Sequence, residues 1–116
     1  MLADAVLEAG HTVRVLDDFS TVRVGNVEPR CEVIRGDVCD PAIVQRAMLG
    51  TSGCFHLAAI ASVARGNEDW LGTHRVNLGG TITVLDAARH LAGVPVVYAS
   101  SAAVYGRLSG VADELM

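Results

Sequence analysis

Aromatic side chains are scarce in this chain of 116 residues, at 4%, and that excludes the stacking platforms on which proteins hold unpaired nucleic-acid bases. Positive charge is scarce as well. Nine basic residues against thirteen acidic ones leave a net charge of -4, and a pI near 5.4 gives no footprint for nucleic acid or an anionic membrane surface. No apolar run approaches the roughly 20 residues that span a bilayer. The start of the chain carries an early acid, Asp4, and no charged-then-apolar secretory pattern, so a cytoplasmic location is expected. Cysteine is limited to Cys31, Cys39 and Cys54, spaced 8 and 15 apart with no C-x-x-C pair. Neither a zinc site nor a disulfide framework fits that spacing, and no metal site is expected. Cys31 and Cys54 fall in predicted strands, where a free thiol behaves as a small buried hydrophobe.

What the chain does have is apolar content, 51% against 19% charged, a balance that buries a core and does not read as disordered. The length suits one small domain, taken as residues 1–116. Helix and strand patterns alternate along it. "LADAVLEAGH" places Leu2, Val6 and Leu7 on one helical stripe and offers Gly10 as its stop. "TVRVLD" reads as a strand, and "CEVIRGDV" as a second that stops at Gly36 and Asp37. "DPAIVQRAMLG" opens with Asp40 as N-cap and Pro41 at the first helical position, and closes at Gly50. "GCFHLAA" is a third strand, apolar enough to be buried on both faces. "SVARGNEDW" reads as loop. The longest helix is predicted from Glu68 to about Leu91, with Leu71, Leu78, Ile82 and Leu85 at helical spacing. "VPVVYAS" is the fourth strand. No internal repeat, low-complexity tract or linker interrupts the series.

Such alternation predicts an α/β fold with a Rossmann-like, doubly wound parallel sheet. In that sheet the strand order is 3-2-1-4-5-6, with the first strand in the middle. No strand precedes the first predicted helix here, so the sheet is expected to be incomplete. "TVRVLD" and "GCFHLAA" should then flank a gap roughly 10 Å wide, twice the spacing of neighbouring strands. The two edges at that gap are expected to be open for pairing.

The chemistry-bearing residues gather where strands end. "TVRVLD" stops abruptly in two carboxylates, Asp17 and Asp18. An acid there accepts the adenine ribose hydroxyls of a dinucleotide and repels a 2′-phosphate, which favours NAD over NADP. The alternative is that both simply start a turn. Asp37 ends the next strand on the same sheet edge, where a carboxylate meets the adenine amino group and Val38 flanks the ring; the alternative is a helix cap, which Asp40 fills better. Ala58 and Ala59, after the third strand, let backbone approach a ligand closely. His56 reads as a satisfied core histidine, and His11, His74 and His90 as turn or surface residues. The adjacent glycines of "NLGGT" cost helix stability and suggest a close approach by another element. Asn77 beside them is either solvated or bonded to backbone of a neighbouring loop. Ser100 and Ser101 bring hydroxyls to the same edge, where one can bond a substrate oxygen during proton and hydride transfer, or merely end the strand.

The run "GHTVRVLDDFS", "GDVCD", "FHLAAIASV", "VNLGGT" and "VVYASSAAVYG" resembles the NAD-dependent epimerase/dehydratase family, the extended short-chain dehydrogenase/reductases. Within it the pattern is most similar to UDP-glucose 4-epimerases and related nucleotide-sugar enzymes. The resemblance covers nearly the whole chain and is specific for the family rather than for a substrate. It implies that Asp17 is the ribose-binding acid, that Asp37 and Val38 contact adenine, and that Leu57, Ala58 and Ala59 run along the cofactor's middle with Asn77 nearby. Ser101 matches the serine of the family's catalytic triad.

The resemblance also implies an NAD cofactor, a nucleotide-sugar substrate passing through a keto intermediate, and a homodimer in the intact enzyme. The family's G-x-x-G-x-x-G is expected just ahead of Met1 and its Y-x-x-x-K beyond Met116. Tyr105 does not replace that tyrosine, because Ser109 stands four residues on. The chain is therefore expected to be an internal piece of an isomerase or oxidoreductase of nucleotide-sugar metabolism, inactive alone. The rival expectation is a non-catalytic Rossmann-like module that senses NAD(P) or binds a protein.

Overall fold

Asp40 converts the chain from extended to helical backbone: its Oδ1 accepts the amide of Ala42 at 3.1 Å, and Pro41 begins the helix with its φ already set. The helix is α2, Pro41–Met48, and Gly50 just beyond it sits at φ 77°, a conformation that favours glycine. The computed structural model describes residues 2–20, 24–101 and 110. The other elements are α1 (Leu2–Glu8), β1 (Arg14–Asp17), β2 (Glu32–Arg35), β3 (Cys54–His56), α3 (Val63–Glu68), α4 (Trp70–His74), α5 (Gly80–His90) and β4 (Val96–Tyr98). A 3₁₀ turn, Val24–Asn26, precedes β2, and a π turn, Arg75–Gly79, joins α4 to α5.

The strands pair in parallel, β1 with β2 from Arg14 opposite Glu32 to Asp17 opposite Arg35, and β3 with β4 from Cys54 opposite Val96 to His56 opposite Tyr98. Among the described residues these are two separate two-stranded sheets, the arrangement expected of a doubly wound order with its middle strand absent. Helices connect the halves. Val44 and Met48 of α2 and Val84, Ala87 and Ala88 of α5 form the buried cluster. Leu16 from one sheet and Cys54 and Val96 from the other pack against it. Apolar contact across this helix pair, rather than a ladder of hydrogen bonds, holds the two sheets together.

Four expectations need correction. Among the described residues only one face of the second sheet is covered, so β3 is not buried on both sides: its pleat turns His56 inward at 7% exposure and Phe55 outward at 53%. Residues 63–68 are helical, not loop, because the Ser62 hydroxyl accepts the amide of Arg65 at 3.2 Å and starts a turn. The long helix accordingly begins at Trp70 rather than Glu68, with Asp69 Oδ1 accepting the Gly72 amide at 2.9 Å as its own cap. Finally, Cys31 lies just before β2 and not inside a strand. No helix among the described residues is long and apolar enough to cross a membrane.

Candidate functional site

Parallel pairing brings the ends of β1 and β2 together and those of β3 and β4 together, and the segments after β2 and β3 meet at one π turn, where Arg75 bonds Asp37 and Asn77 bonds Ile60. Asp17 is the last residue of β1, and its Oδ1 accepts the amide of Phe19 at 2.8 Å. Phe19 is held at φ 56°, in the left-handed region that residues other than glycine rarely adopt. The exposed Asp18 does the same for the Ser20 amide at 2.9 Å. Each carboxylate shapes its own turn through one oxygen, and no described residue bonds the second oxygen of either. The turn-starting and ligand-binding readings of this pair are therefore compatible.

Asp37 lies two residues beyond β2. Its Oδ1 accepts the Cys39 amide at 2.8 Å, and its Oδ2 accepts Arg75 Nη2 at 2.6 Å. The Arg75 hydrogen bond, followed by that of the Cys39 amide, holds this carboxyl below the usual carboxylate range. The Cys39 thiol in turn donates to the Arg75 carbonyl at 3.2 Å. Val38, next to it, packs toward α5: a Cβ on Gly80 would stand 2.7 Å from Val38 Cγ1. Gly80 is thus the close approach that the paired glycines suggested, whereas Gly79 has open space around it.

Between the ends of β3 and β4 lies a cleft of about 510 Å³, walled by Leu57, Ala58, Ala59, Ser100 and Ser101 with Asn77 behind them. Leu57 and both alanines are exposed. Asn77 is not solvated; it clasps the backbone of Ile60, accepting the amide at 2.7 Å through Oδ1 and donating Nδ2 to the carbonyl at 3.0 Å. His56 is buried as expected, with Nε2 at 3.0 Å from Thr81 Oγ1, and burial holds its pKa below the ordinary value. The remaining histidines, His11, His74 and His90, are exposed. The "VYG" motif, with Tyr105, lies outside the described residues.

The structure therefore brings Asp17, Asp18 and Asp37 to one end of the first sheet, and Leu57 to Ala59, Asn77, Ser100 and Ser101 around the cleft of the second. Sequence reasoning missed Arg75 as the partner of Asp37 and Thr81 as the partner of His56. A threonine four residues after Asn77 in a helix signalled its bond to the Asn77 carbonyl one turn back, but not the histidine 25 residues away. Nothing in the sequence marked Arg75, which stands 38 residues from Asp37. Among the described residues no group of three or more histidine, cysteine, aspartate or glutamate side chains could hold a metal ion. Cys31, Cys39 and Cys54 are all free thiols.

Comparison with known proteins matches residues 1–116 to the NAD dependent epimerase/dehydratase family. The UDP-glucose 4-epimerase of Lacticaseibacillus casei is 33% identical over 103 residues, covering 87% of this chain and 31% of that enzyme. The D-erythronate dehydrogenase of Cupriavidus necator is 40% identical over 81 residues, covering 68% of this chain and 25% of that enzyme. Among solved structures, the UDP-glucose 4-epimerase from Brucella ovis in complex with NAD superposes with a TM-score of 0.84 at 32% identity, over 94% of this chain and 34% of that one. The chain thus spans about a third of the length of the UDP-glucose 4-epimerases it matches.

Proposed function

The chain belongs to the NAD dependent epimerase/dehydratase family, and from that premise we propose that it forms the cofactor-holding part of a UDP-glucose 4-epimerase-like enzyme acting on a nucleotide sugar. One observation carries the reading. Two carboxylates at the ends of the parallel pair β1 and β2 and a cleft walled by alanine and serine at the ends of the parallel pair β3 and β4 are joined through one π turn, where Arg75 bonds Asp37 and Asn77 bonds Ile60. This is where α/β sheets bind dinucleotides. The chemistry of these groups fits NAD: acceptors for ribose and adenine at one end, and methyl-walled backbone for close approach at the other.

In this reading the Phe19 amide fixes the Asp17 carboxylate by holding Oδ1, which leaves Oδ2 to accept a ribose hydroxyl, with Asp18 beside it. Asp37, kept ionised by Arg75, accepts from the adenine amino group, and Val38 supports that end of the loop. Leu57, Ala58 and Ala59 line the middle of the cofactor, with Asn77 and Ser100 at its margin. Ser101 donates to or accepts from the sugar hydroxyl that gains and loses a proton. NAD, when bound, supplies a reversible hydride acceptor.

The 116 residues by themselves are proposed to bind but not to turn over. The same proposal includes a cytoplasmic location and a homodimer. The dimer is supported by a helical face on which Leu71 is 87% exposed, with Leu78, Ile82 and Leu85 also exposed along it.

The test is a titration of the chain with ADP-ribose, NAD and NADP, followed by backbone amide shifts. Shifts at residues 17, 18, 37 and 57–60, weaker with NADP, and loss of that discrimination in Asp17→Ala are expected. Equal response to NADP, or shifts confined elsewhere, would overturn the cofactor assignment. Epimerisation of UDP-glucose by the purified chain would overturn its proposed inactivity.

A further inference from the structure

The segment Leu57–Ala59 is bracketed by two residues that are both tied to the same helical turn. On one side Ile60 is held at its amide and its carbonyl by Asn77. On the other side His56 reaches Thr81 Oγ1, and the Thr81 hydroxyl donates to the carbonyl of Asn77 at 2.7 Å. The two ties therefore converge on Asn77, in the π turn Arg75–Gly79 that leads into α5. A turn of this kind departs from the regular helical ladder, and such departures recur at functional positions.

The hydrogen-bond arithmetic assigns the protons. A threonine hydroxyl has one hydrogen, and that hydrogen is committed to the Asn77 carbonyl. Thr81 Oγ1 is left as an acceptor toward the ring, so His56 must donate from Nε2. The imidazole is 93% removed from solvent, at 7% exposure, where an unmatched N–H is expensive. The contact is then directional: His56 Nε2–H to Thr81, Thr81 O–H to Asn77, and Asn77 to Ile60.

We propose that His56 and Thr81 are positioning residues which, together with the Asn77–Ile60 clasp, fix the backbone of Leu57–Ala59 in the shape the cleft requires. The inference rests on the cofactor reading for its purpose, but not for its geometry. Removing the Thr81 hydroxyl strands the His56 donor and releases one end of the segment. Removing neither charge nor volume elsewhere, it leaves Asp17, Asp37 and their turns untouched. Both residues border the cleft behind that segment, and the role proposed for them is exerted through the backbone they hold.

The experiment uses the full chain labelled with nitrogen-15. In the unaltered protein the His56 ring should show the signature of a neutral imidazole protonated on Nε2, and a ring protonated on Nδ1 would overturn the proposal without any variant being made. In Thr81→Val, amide exchange at residues 57–60 should accelerate by about tenfold or more, the scale of one lost buried hydrogen bond, with exchange in α2 unchanged. Thr81→Ser restores the hydroxyl and should restore protection. Unchanged exchange in Thr81→Val, or failure of serine to rescue it, would sink the idea. A titration with NAD separates the two readings. If NAD shifts the amides at 57–60 in the unaltered chain and equally strongly in Thr81→Val, the positioning role is wrong. If it shifts nothing in either, the cofactor reading is wrong, while the ring tautomer and the exchange rates still decide the clasp.

Discussion

The guanidinium of Arg75 donates to Asp37 at 2.6 Å across 38 residues of sequence, joining the loop after β2 to the π turn ahead of α5. The Cys39 thiol makes a second link between the same two segments, to the Arg75 carbonyl. Asp37 therefore reaches the site with both oxygens already oriented, one by its own loop and one by a helix. A carboxylate oxygen has lone pairs for more than one donor, so the pairing sets the direction of Asp37 without removing it as an acceptor.

Arg75→Ala should raise the titration midpoint of Asp37 toward the ordinary carboxylate range, read from its carboxyl carbon in a pH series. Because the folded pKa is depressed, the pair contributes above the ordinary carboxylate value and loses that contribution as pH falls through the folded one. Both side chains are largely exposed, so the loss in stability should be small. The larger effect should be a weaker response to the adenosine portion of ADP-ribose. A midpoint unchanged by the substitution would show that Arg75 does not hold Asp37 in solution.

His56 gives a different pH signature. Burial depresses its pKa below the ordinary value of about 6.5, because charging the ring means charging a buried group. The unfolded chain then binds a proton that the folded one resists, so stability is full above the ordinary value and falls as pH drops below it. Thermal scans between pH 7 and pH 5 should show a falling Tm. His56→Asn keeps a donor for Thr81 without a titrating group and should flatten that fall. Equal slopes in both proteins would remove His56 as its source.

The two glycines of "NLGGT" should behave oppositely. Gly79→Ala meets open space and should stabilise by about 0.5–1 kcal/mol through helix propensity. Gly80→Ala drives a methyl to 2.7 Å from Val38 Cγ1, and Val38 is packed against the core and, being β-branched, is stiff at χ1. Overpacking of about 1–3 kcal/mol should outweigh the gain in propensity. Urea unfolding of the pair checks both signs at once.

Met48→Ala tests whether the helix pair is what holds the two sheets together. Met48, on α2, is 5% exposed and belongs to the cluster that α2 shares with α5, and truncating a buried methionine typically costs about 2–5 kcal/mol. With so few fully buried residues in the cluster, that loss should be enough to separate the halves. Amide protection should then collapse together in β1 and β4. Loss in one sheet alone would mean that the two are stable independently.

Much of the fold was legible because its signals are local. Asp40 before Pro41, Gly50 after Met48 and the strand ending in Asp17 each encode a cap, a stop or an end within a few residues. The separation into two strand pairs was also legible, since it follows from the order of elements. What escaped were short-range signals in competition. Ser62 is a good N-cap, but the glycine and polar residues of "SVARGNEDW" read as loop, and the cap prevailed. The exposed face of Phe55 escaped for another reason: an apolar strand looks the same whether one face or two are covered.

The sequence by itself determined the alternation of strands with helices apart from α3, the family, and the set of acids, small residues and hydroxyls that strand ends would carry, because these depend on spacing along one chain. Tertiary structure alone decided the partners. That Arg75 meets Asp37, that Gly80 rather than Gly79 receives Val38, and that His56 and Asn77 secure the two ends of one segment all depend on how α5 settles between two sheets. Burial and hydrogen bonding between distant segments are properties of packing, and no spacing of residues along the chain encodes them.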